Sequence, residues 1–196
     1  MAQQADIRFG TDGWRAIIGE DYTFANVARC ARGLCEFMKR RGTADRGLIV
    51  GFDTRFLSPE FASTVADVCA SQGIRTLLAD VPAPTPVLSY SVMHHQAGGA
   101  AIITASHNPA IWNGFKFKPE YAGSATQEIT DELEEAIARV GSADLDEIDT
   151  GRNSGLIEDL EPAEPYFDHL SRLVDLDAIS IRRFPRDSRR HVWSGR

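Results

Sequence analysis

The sequence predicts an α/β fold in which a largely parallel sheet is covered by helices on both faces. Short apolar runs alternate with longer amphipathic segments along the 196 residues, and Gly, Pro or Ser marks most of the changes between them. Strands that alternate with helices favour parallel pairing, because each crossover helix covers one face of the sheet. These observations define the fold class before any motif is considered.

Capping residues and apolar spacing place the individual elements. Thr23 is a typical helix N-cap and Gly42 a typical helix end, and residues 48–52 are apolar throughout, as in a buried strand. In order, we predict helix 23–42, strand 48–52, helix 58–73, strand 74–79, helix 85–96, strand 100–104 and helix 126–140.

The chain divides into a domain and an extension. Residues 1–142 carry the alternating pattern and form the first domain. The polar, acidic stretch 141–164 is typical of a connector on the domain surface. Helical spacing returns at Tyr166–Val174, so we predict that residues 143–181 are a connector and a helix that packs on the domain or leads into another one.

The composition is that of a globular protein, with 43% hydrophobic and 25% charged residues. It excludes disorder throughout, no apolar run approaches the ~18 residues of a membrane helix, and residues 1–6 do not resemble a signal peptide. We therefore expect a cytoplasmic protein with no membrane partner. Cys30, Cys35 and Cys69 lie in apolar periodic stretches, which favours reduced thiols in the core.

The charge is unevenly distributed along the chain. A net charge of -7 argues against a nucleic-acid partner, since phosphate backbones require a clustered basic face. Residues 182–196 nevertheless carry six arginines and one acidic residue. The simplest interpretation of this segment is a solvated terminal tail.

The most informative stretch is Thr104-Ala-Ser-His-Asn-Pro109, directly after a predicted strand. Loops at the carboxyl ends of strands hold the reactive groups of α/β proteins. Ser106 offers a hydroxyl among hydrogen-bond donors, which suits phosphate, and Asn113-Gly-Phe-Lys116 follows closely. A loop whose polar side chains only satisfy its own backbone is equally compatible. A serine hydrolase is disfavoured because no G-x-S-x-G motif is present.

Two further stretches place polar residues beside glycines. Gly10-Thr-Asp-Gly-Trp-Arg15 presents the planar guanidinium of Arg15, which suits a phosphate or a nearby carboxylate. Gly51-Phe-Asp-Thr-Arg55 joins a strand to a helix, and we expect Asp53 and Arg55 to pair with each other or to fix the adjacent loops. We assign this pair a supporting role.

Together the three stretches resemble the first domain of the α-D-phosphohexomutases, the family that includes phosphoglucomutase and phosphomannomutase. The resemblance runs from about Arg8 to about Ile181, with the motifs in the family's order. It implies a three-layer α/β/α domain with a mostly parallel mixed sheet. It also implies a mutase that interconverts hexose 1-phosphates and 6-phosphates through a hexose 1,6-bisphosphate.

The resemblance also assigns roles to individual residues. Ser106 matches the serine that carries the phosphoryl group and, through its phosphate, binds a magnesium ion. Lys116 matches the lysine that moves the proton of the attacking hydroxyl, and the alternative is a surface lysine on a strand, as we predict for Lys118. His107 and Arg15 match further catalytic positions and, with Asn108, would hold the phosphate. The remaining phosphate-binding or supporting positions are matched by Thr104, Asn113, Asp53 and Arg55.

The family's magnesium ion is held by the phosphoserine and by three aspartates of a D-G-D-x-D-R loop in the second domain. This sequence contains no such loop, and the acidic run Asp144–Asp149 lacks its glycine and arginine. We therefore expect a truncated nucleophile domain that is inactive alone, or alternatively a non-catalytic phosphoprotein or binding module derived from it. Trp14 favours a glucose or mannose phosphate over glucosamine phosphate as the substrate.

Residues 182–196 differ from the valine-rich strand that the family has at this point. With suitably chosen codons, back-translation of residues 187–196 in a shifted frame gives Ile-Val-Val-Asp-Met-Tyr-Gly-Ala-Gly, which is close to that strand and its turn. We therefore expect that a frame change near Arg182–Arg186 produced the arginine-rich terminus. The encoding DNA decides this question.

Overall fold

The computed structural model describes residues 6–10, 13–141 and 154–181. The acidic run 144–149 and the segment 182–196, with the frame change expected there, lie outside the described residues. The strands are β1 (Trp14–Ile17), β2 (Leu48–Phe52), β3 (Thr76–Ala79), β4 (Gly99–Ile103), β5 (Trp112–Pro119) and β6 (Ile157–Leu160). The helices are α1 (Phe24–Arg41), α2 (Ser58–Ser71), α3 (Thr85–His94), α4 (Gln127–Arg139), α5 (Ala163–Leu173) and α6 (Leu176–Ile181), with a 3-10 turn at Ala44–Arg46.

The six strands form one mixed sheet in the order β1-β5-β4-β2-β3-β6. Strands β4, β2, β3 and β6 are parallel, and β5 runs antiparallel to both its neighbours. The connections β2-α2-β3 and β3-α3-β4 step in opposite directions along the sheet, so right-handed crossovers place α2 and α3 on opposite faces. Helix α1 packs against both α2 and α4, while α3 packs with α5. The predicted three-layer α/β/α fold with a mostly parallel mixed sheet is confirmed.

Local chemistry explains where the first two helices begin and end. The Thr23 hydroxyl accepts a hydrogen bond from the backbone N–H of Asn26 (3.3 Å), and Gly42 ends α1 in the left-handed region (φ 70°). Helix α2 begins at Ser58, as predicted. The cap position is Leu57, which is also left-handed and makes no side-chain cap bond (φ 59°). The Ser58 hydroxyl donates to Asp53.

The predicted elements include neither edge strand, β1 or β6, and give no bounds for β5. Strand β6 lies inside the predicted surface connector 141–164, where no strand was predicted, and residues 157–160 pair in parallel with β3. Arg75, just before β3, donates two hydrogen bonds of 2.7 and 2.6 Å to the Glu158 carboxylate of β6. The connector thus contributes an edge strand to the sheet.

Helix α5 confirms the helix predicted at 166–174, and it packs back on the domain. The ring of His169 on α5 stacks on Tyr90 of α3, with 4.7 Å between ring centroids. Tyr166 also packs against the hydrophobic core. Across the described residues, no helix combines the length and apolar character required to cross a membrane.

The helix layer that contains α1 packs tightly on its neighbours. A Cβ on Gly33 of α1 would lie 2.7 Å from the backbone nitrogen of Ile137, so the glycine allows α4 to approach closely. Cys30, Cys35 and Cys69 are all buried and free, as predicted for small core residues. The Sγ atoms of Cys35 and Cys69 lie 3.4 Å apart between α1 and α2.

Candidate active site

The serine motif forms the loop between β4 and β5. This serine loop (residues 104–111) leaves the sheet at the carboxyl end of β4, beside the turn that follows the neighbouring strand β2. Ser106 is exposed and left-handed (φ 56°), a conformation that a residue with a Cβ adopts only with support from surrounding contacts. Its N–H donates to the Thr104 hydroxyl (3.0 Å), and its Oγ lies 3.3 Å from Nδ1 of His107.

Arg55 reaches from the turn after β2 and holds the backbone of the serine loop. Its Nη2 donates to the carbonyl oxygens of Ser106 (2.9 Å) and Asn108 (2.7 Å). Its Nη1 donates to the carbonyl oxygens of Pro109 (2.9 Å) and Trp112 (3.0 Å). One side chain therefore fixes four points along the loop and the start of β5.

A partly buried network holds Arg55 in place. The Asp53 carboxylate lies 3.3 Å from Nε of Arg55, and it accepts from the Arg55 N–H (2.9 Å) and from the Ser58 hydroxyl (3.0 Å). That hydroxyl accepts from Nδ2 of Asn113 (2.9 Å). Ser58 and Asn113 are fully buried, so Asn113 supports the loop and does not face a ligand in solvent.

Arg15 approaches the serine loop from β1. It lies opposite Gly114 of β5 in the strand register, and its Nη1 donates to Oδ1 of Asn108 (2.9 Å). A Cβ on Gly114 would lie 2.5 Å from the carbonyl oxygen of Thr104, so glycine is needed for the backbone of β5 to come this close. The structure thus places a guanidinium and an amide side by side on the loop. Residues 11 and 12 of the same motif lie outside the described residues.

Lys116 lies on β5 opposite Ile102 of β4, and 5% of its surface is exposed. The alternative interpretation, a surface lysine, is therefore wrong. The prediction that Lys118 is a surface lysine is also wrong, since Lys118 is 7% exposed and donates to the Ser124 hydroxyl (3.3 Å). Both lysines lie on β5, a strand inside the sheet, and the sequence did not define the position of this strand. A Cβ on Gly13 would lie 3.1 Å from Cγ of Lys116, so the Gly13 backbone covers the lysine stem.

Two supporting residues were missed in the sequence, Tyr22 and Ser58. The Tyr22 hydroxyl donates to the Gly114 carbonyl (2.8 Å), and its ring stacks on Trp14 with 4.9 Å between centroids. Burial raises the pKa of Tyr22 well above its ordinary value, so the hydroxyl keeps its proton and remains a donor. Ser58 was missed because a serine at a helix start usually caps the helix. For Tyr22 the sequence carries no signal of a supporting role.

Within residues 6–10, 13–141 and 154–181, no group of three or more His, Cys, Asp or Glu side chains is placed to hold a metal ion. The carboxylate of Asp53, which belongs to the hydrogen-bond network beneath the serine loop, is already bonded to Arg55 and Ser58. These residues do not fit a magnesium site of their own.

Most of the chain is similar to known sugar-phosphate mutases. Residues 6–144 match the model of the phosphoglucomutase/phosphomannomutase alpha/beta/alpha domain I. A phosphoglucomutase of Staphylococcus saprophyticus is 37% identical over 134 residues, which cover 67% of this chain and 24% of the relative. A phosphoglucosamine mutase of Finegoldia magna is 32% identical over 175 residues, which cover 89% of this chain and 38% of the relative.

A solved structure gives the same result for the fold. The crystal structure described as a putative phosphomannomutase from Thermus thermophilus superposes with a TM-score of 0.80 at 37% identity, covering 91% of this chain and 38% of that one. The chain thus spans between 24% and 38% of the length of the two curated relatives. Because the family model covers well over half of the chain, including the serine loop and Arg55, the chain belongs to the phosphoglucomutase/phosphomannomutase family and carries its α/β/α domain I.

Proposed function

We propose that this chain is the phosphoryl-carrying domain of a hexose-phosphate mutase, with Ser106 as the residue that accepts and returns the phosphoryl group. The observation that carries the proposal is the way in which Ser106 is presented. Its side chain is exposed on a loop whose backbone is held by Arg55. The names of the relatives, phosphoglucomutase and phosphoglucosamine mutase, support the same class of reaction.

In the proposed reaction, a hydroxyl oxygen of a hexose monophosphate attacks the phosphorus of phosphorylated Ser106. The sugar O–P bond forms, the Oγ–P bond breaks, and Oγ leaves with the electron pair. We assign the removal of the hydroxyl proton to Lys116, following the family resemblance. His107, whose Nδ1 lies 3.3 Å from Oγ, is placed to return a proton to it. The bisphosphate then reorients, and the reverse transfer rephosphorylates the serine.

Phosphoryl transfer depends on in-line placement and on neutralising the charge of the phosphoryl oxygens. Arg15 and Asn108, joined by a 2.9 Å hydrogen bond, supply a cation and an amide beside the loop. The magnesium ion that the family uses would add further charge neutralisation when bound. Since the described residues do not form a site for it, we propose that this chain alone completes no mutase cycle and needs groups that the longer relatives contain.

The proposal names hexose phosphates as a class. The preference for glucose or mannose over glucosamine rests on Trp14, but this residue is 4% exposed and its ring stacks on Tyr22. A tryptophan in that position packs the core and does not contact a sugar. Trp14 therefore gives no basis for choosing one hexose within the class.

Incubation of the purified chain with glucose 1,6-bisphosphate, followed by mass spectrometry of the intact protein and its peptides, tests the proposal. We expect one phosphate on Ser106, no label in Ser106→Ala, and unchanged labelling in Ser171→Ala, which removes an exposed serine of α5. Label that persists in Ser106→Ala contradicts the assignment. Binding of the bisphosphate without any label favours the alternative, a non-catalytic binding module.

A further inference from the structure

Arg55 directs four of its five side-chain hydrogen-bond donors to backbone carbonyl oxygens. A guanidinium carries five N–H donors in a fixed planar arrangement. Four of them bond to the carbonyl oxygens of the loop and of β5, and the fifth, on Nε, faces Asp53 at 3.3 Å. Both Nη atoms are therefore engaged by backbone carbonyls and Nε lies against a carboxylate, although the charge of the guanidinium lies directly beneath the loop that presents Ser106.

The contacts of Arg55 fall on the residues that define the shape of the loop. A single nitrogen, Nη2, donates to the carbonyl oxygens of both Ser106 and Asn108, and these two residues flank His107. Drawing the two carbonyls to one point favours the tight, left-handed backbone observed at Ser106 (φ 56°). The carbonyls face Arg55, whose side chain is 13% exposed, whereas the side chains of Ser106 and His107 are exposed.

We infer that Arg55 is a positioning residue for phosphoryl transfer, which sets the direction of the Ser106 Oγ and takes no part in binding the phosphate. The inference rests on the proposed function, because it gives Arg55 a role in the reaction assigned to Ser106. It differs from a phosphate-binding role, which falls to Arg15 and Asn108 in the same proposal. It also predicts that lysine is no substitute, since an ammonium has three donors at one point and cannot bridge four carbonyls.

Loss of Arg55 should therefore change the rate of phosphoryl transfer to Ser106 and leave the affinity for the bisphosphate nearly unchanged. Misplacement of a reacting atom by about 1 Å costs on the order of 100-fold in rate, while the groups that hold the phosphate stay in place. Loss of Arg55 should therefore lower the rate of Ser106 labelling at saturating bisphosphate by about 100-fold. The bisphosphate concentration that gives half the maximal rate should change by no more than about threefold.

The experiment measures single-turnover labelling of Ser106 by glucose 1,6-bisphosphate, quenched over time and quantified by mass spectrometry, in the wild-type chain, Arg55→Lys and Arg55→Ala. Arg75→Ala is the matched control, because Arg75 also donates two hydrogen bonds, to Glu158, but lies before β3 near the opposite edge of the sheet. Guanidinium ion, added to Arg55→Ala below denaturing concentrations, should restore part of the rate, and Arg75→Ala should label normally. Hydrogen exchange of peptides covering 104–112 should become faster in both Arg55 variants.

Each outcome separates the inference from the proposed function. If the wild-type chain takes no label on Ser106, the proposed function is wrong, and the positioning role of Arg55 is wrong with it. If the wild type is labelled and Arg55→Lys matches it, the positioning role alone is overturned. An increase in the half-saturating concentration with an unchanged maximal rate would instead identify Arg55 as a phosphate ligand. Faster exchange throughout the core, without rescue by guanidinium, would mean that Arg55 only stabilises the fold.

Discussion

Replacing Ser58 by alanine tests the buried network beneath the serine loop. The Ser58 hydroxyl is fully buried, donates to Oδ1 of Asp53 at 3.0 Å and accepts from Nδ2 of Asn113 at 2.9 Å. In Ser58→Ala, the Asn113 amide keeps only a contact of 3.5 Å with the Phe56 carbonyl. The substitution therefore leaves a buried donor without a good acceptor and takes one donor from a carboxylate.

The expected loss of stability follows from those two contacts. An unsatisfied buried donor costs about 1–3 kcal/mol, whereas the lost bond to Asp53 is partly compensated because the Arg55 N–H still bonds to the same oxygen. We expect the free energy of unfolding to fall by about 2–3 kcal/mol. For a chain of this size, that corresponds to a decrease in Tm of about 5–10 °C.

Ser91→Ala is the matched control for this measurement. Ser91 is also buried, at 3% exposure, but its hydroxyl donates only to the Val87 carbonyl one turn earlier in α3 (3.1 Å). Its loss leaves no side-chain donor unsatisfied, and alanine favours the helix, so the net cost should stay below about 1 kcal/mol. Urea unfolding followed by circular dichroism measures both variants. Equal losses in the two variants would refute the reasoning, because burial alone would then explain the effect.

Two further predictions concern other parts of the domain. A Gly→Ala change stabilises an exposed helix, but Gly33→Ala should lower the free energy of unfolding by about 1–3 kcal/mol, since the new Cβ would lie 2.7 Å from the Ile137 backbone. A rise in Tm would contradict the close packing of α1 on α4. The Arg75 hydrogen bonds lower the pKa of Glu158 from its ordinary value of 4.5, so the pair stabilises the chain above that pH and loses its effect as the pH falls through the lowered pKa. The Tm difference between wild type and Glu158→Gln should therefore be present at pH 7 and shrink in acid, and a difference that grows in acid would exclude this pair as its cause.

The sequence predicts those elements whose signals are local. Thr23 and Gly42 mark the two ends of α1 through their own hydrogen bonds and backbone angles, and the apolar run of β2 needs no partner to be recognised. Strand β5 has two lysines and a glycine among its eight residues, which is atypical of a buried strand. Its position between β4 and β1 depends on the sheet order, and no pattern within the strand specifies that order.

In the candidate site, too, the sequence predicts the local features and not the contacts between distant residues. The motif that contains Ser106 is visible because its polar residues follow a strand directly, and the supporting role of Arg55 agrees with its contacts to the loop. The number of those contacts follows from the adjacency of β2 and β4, which brings two distant turns together. Ser58 and Tyr22 were missed for the same reason, since their hydroxyl groups bond to residues 55 and 92 positions away.

The position of β1 has a consequence for the order in which the chain folds. Arg15 meets Asn108 across 93 positions of sequence, and among the described strands β1 pairs only with β5. Closing so long a loop costs conformational entropy, which is offset only when β1 pairs in the finished sheet. During synthesis, β1 has no strand to pair with until β5 has left the ribosome, and roughly the first 110 residues must wait in a form without the Arg15 contact. The Arg15–Asn108 contact beside Ser106 is therefore completed late, and under the proposed function phosphate binding would report the fully folded domain.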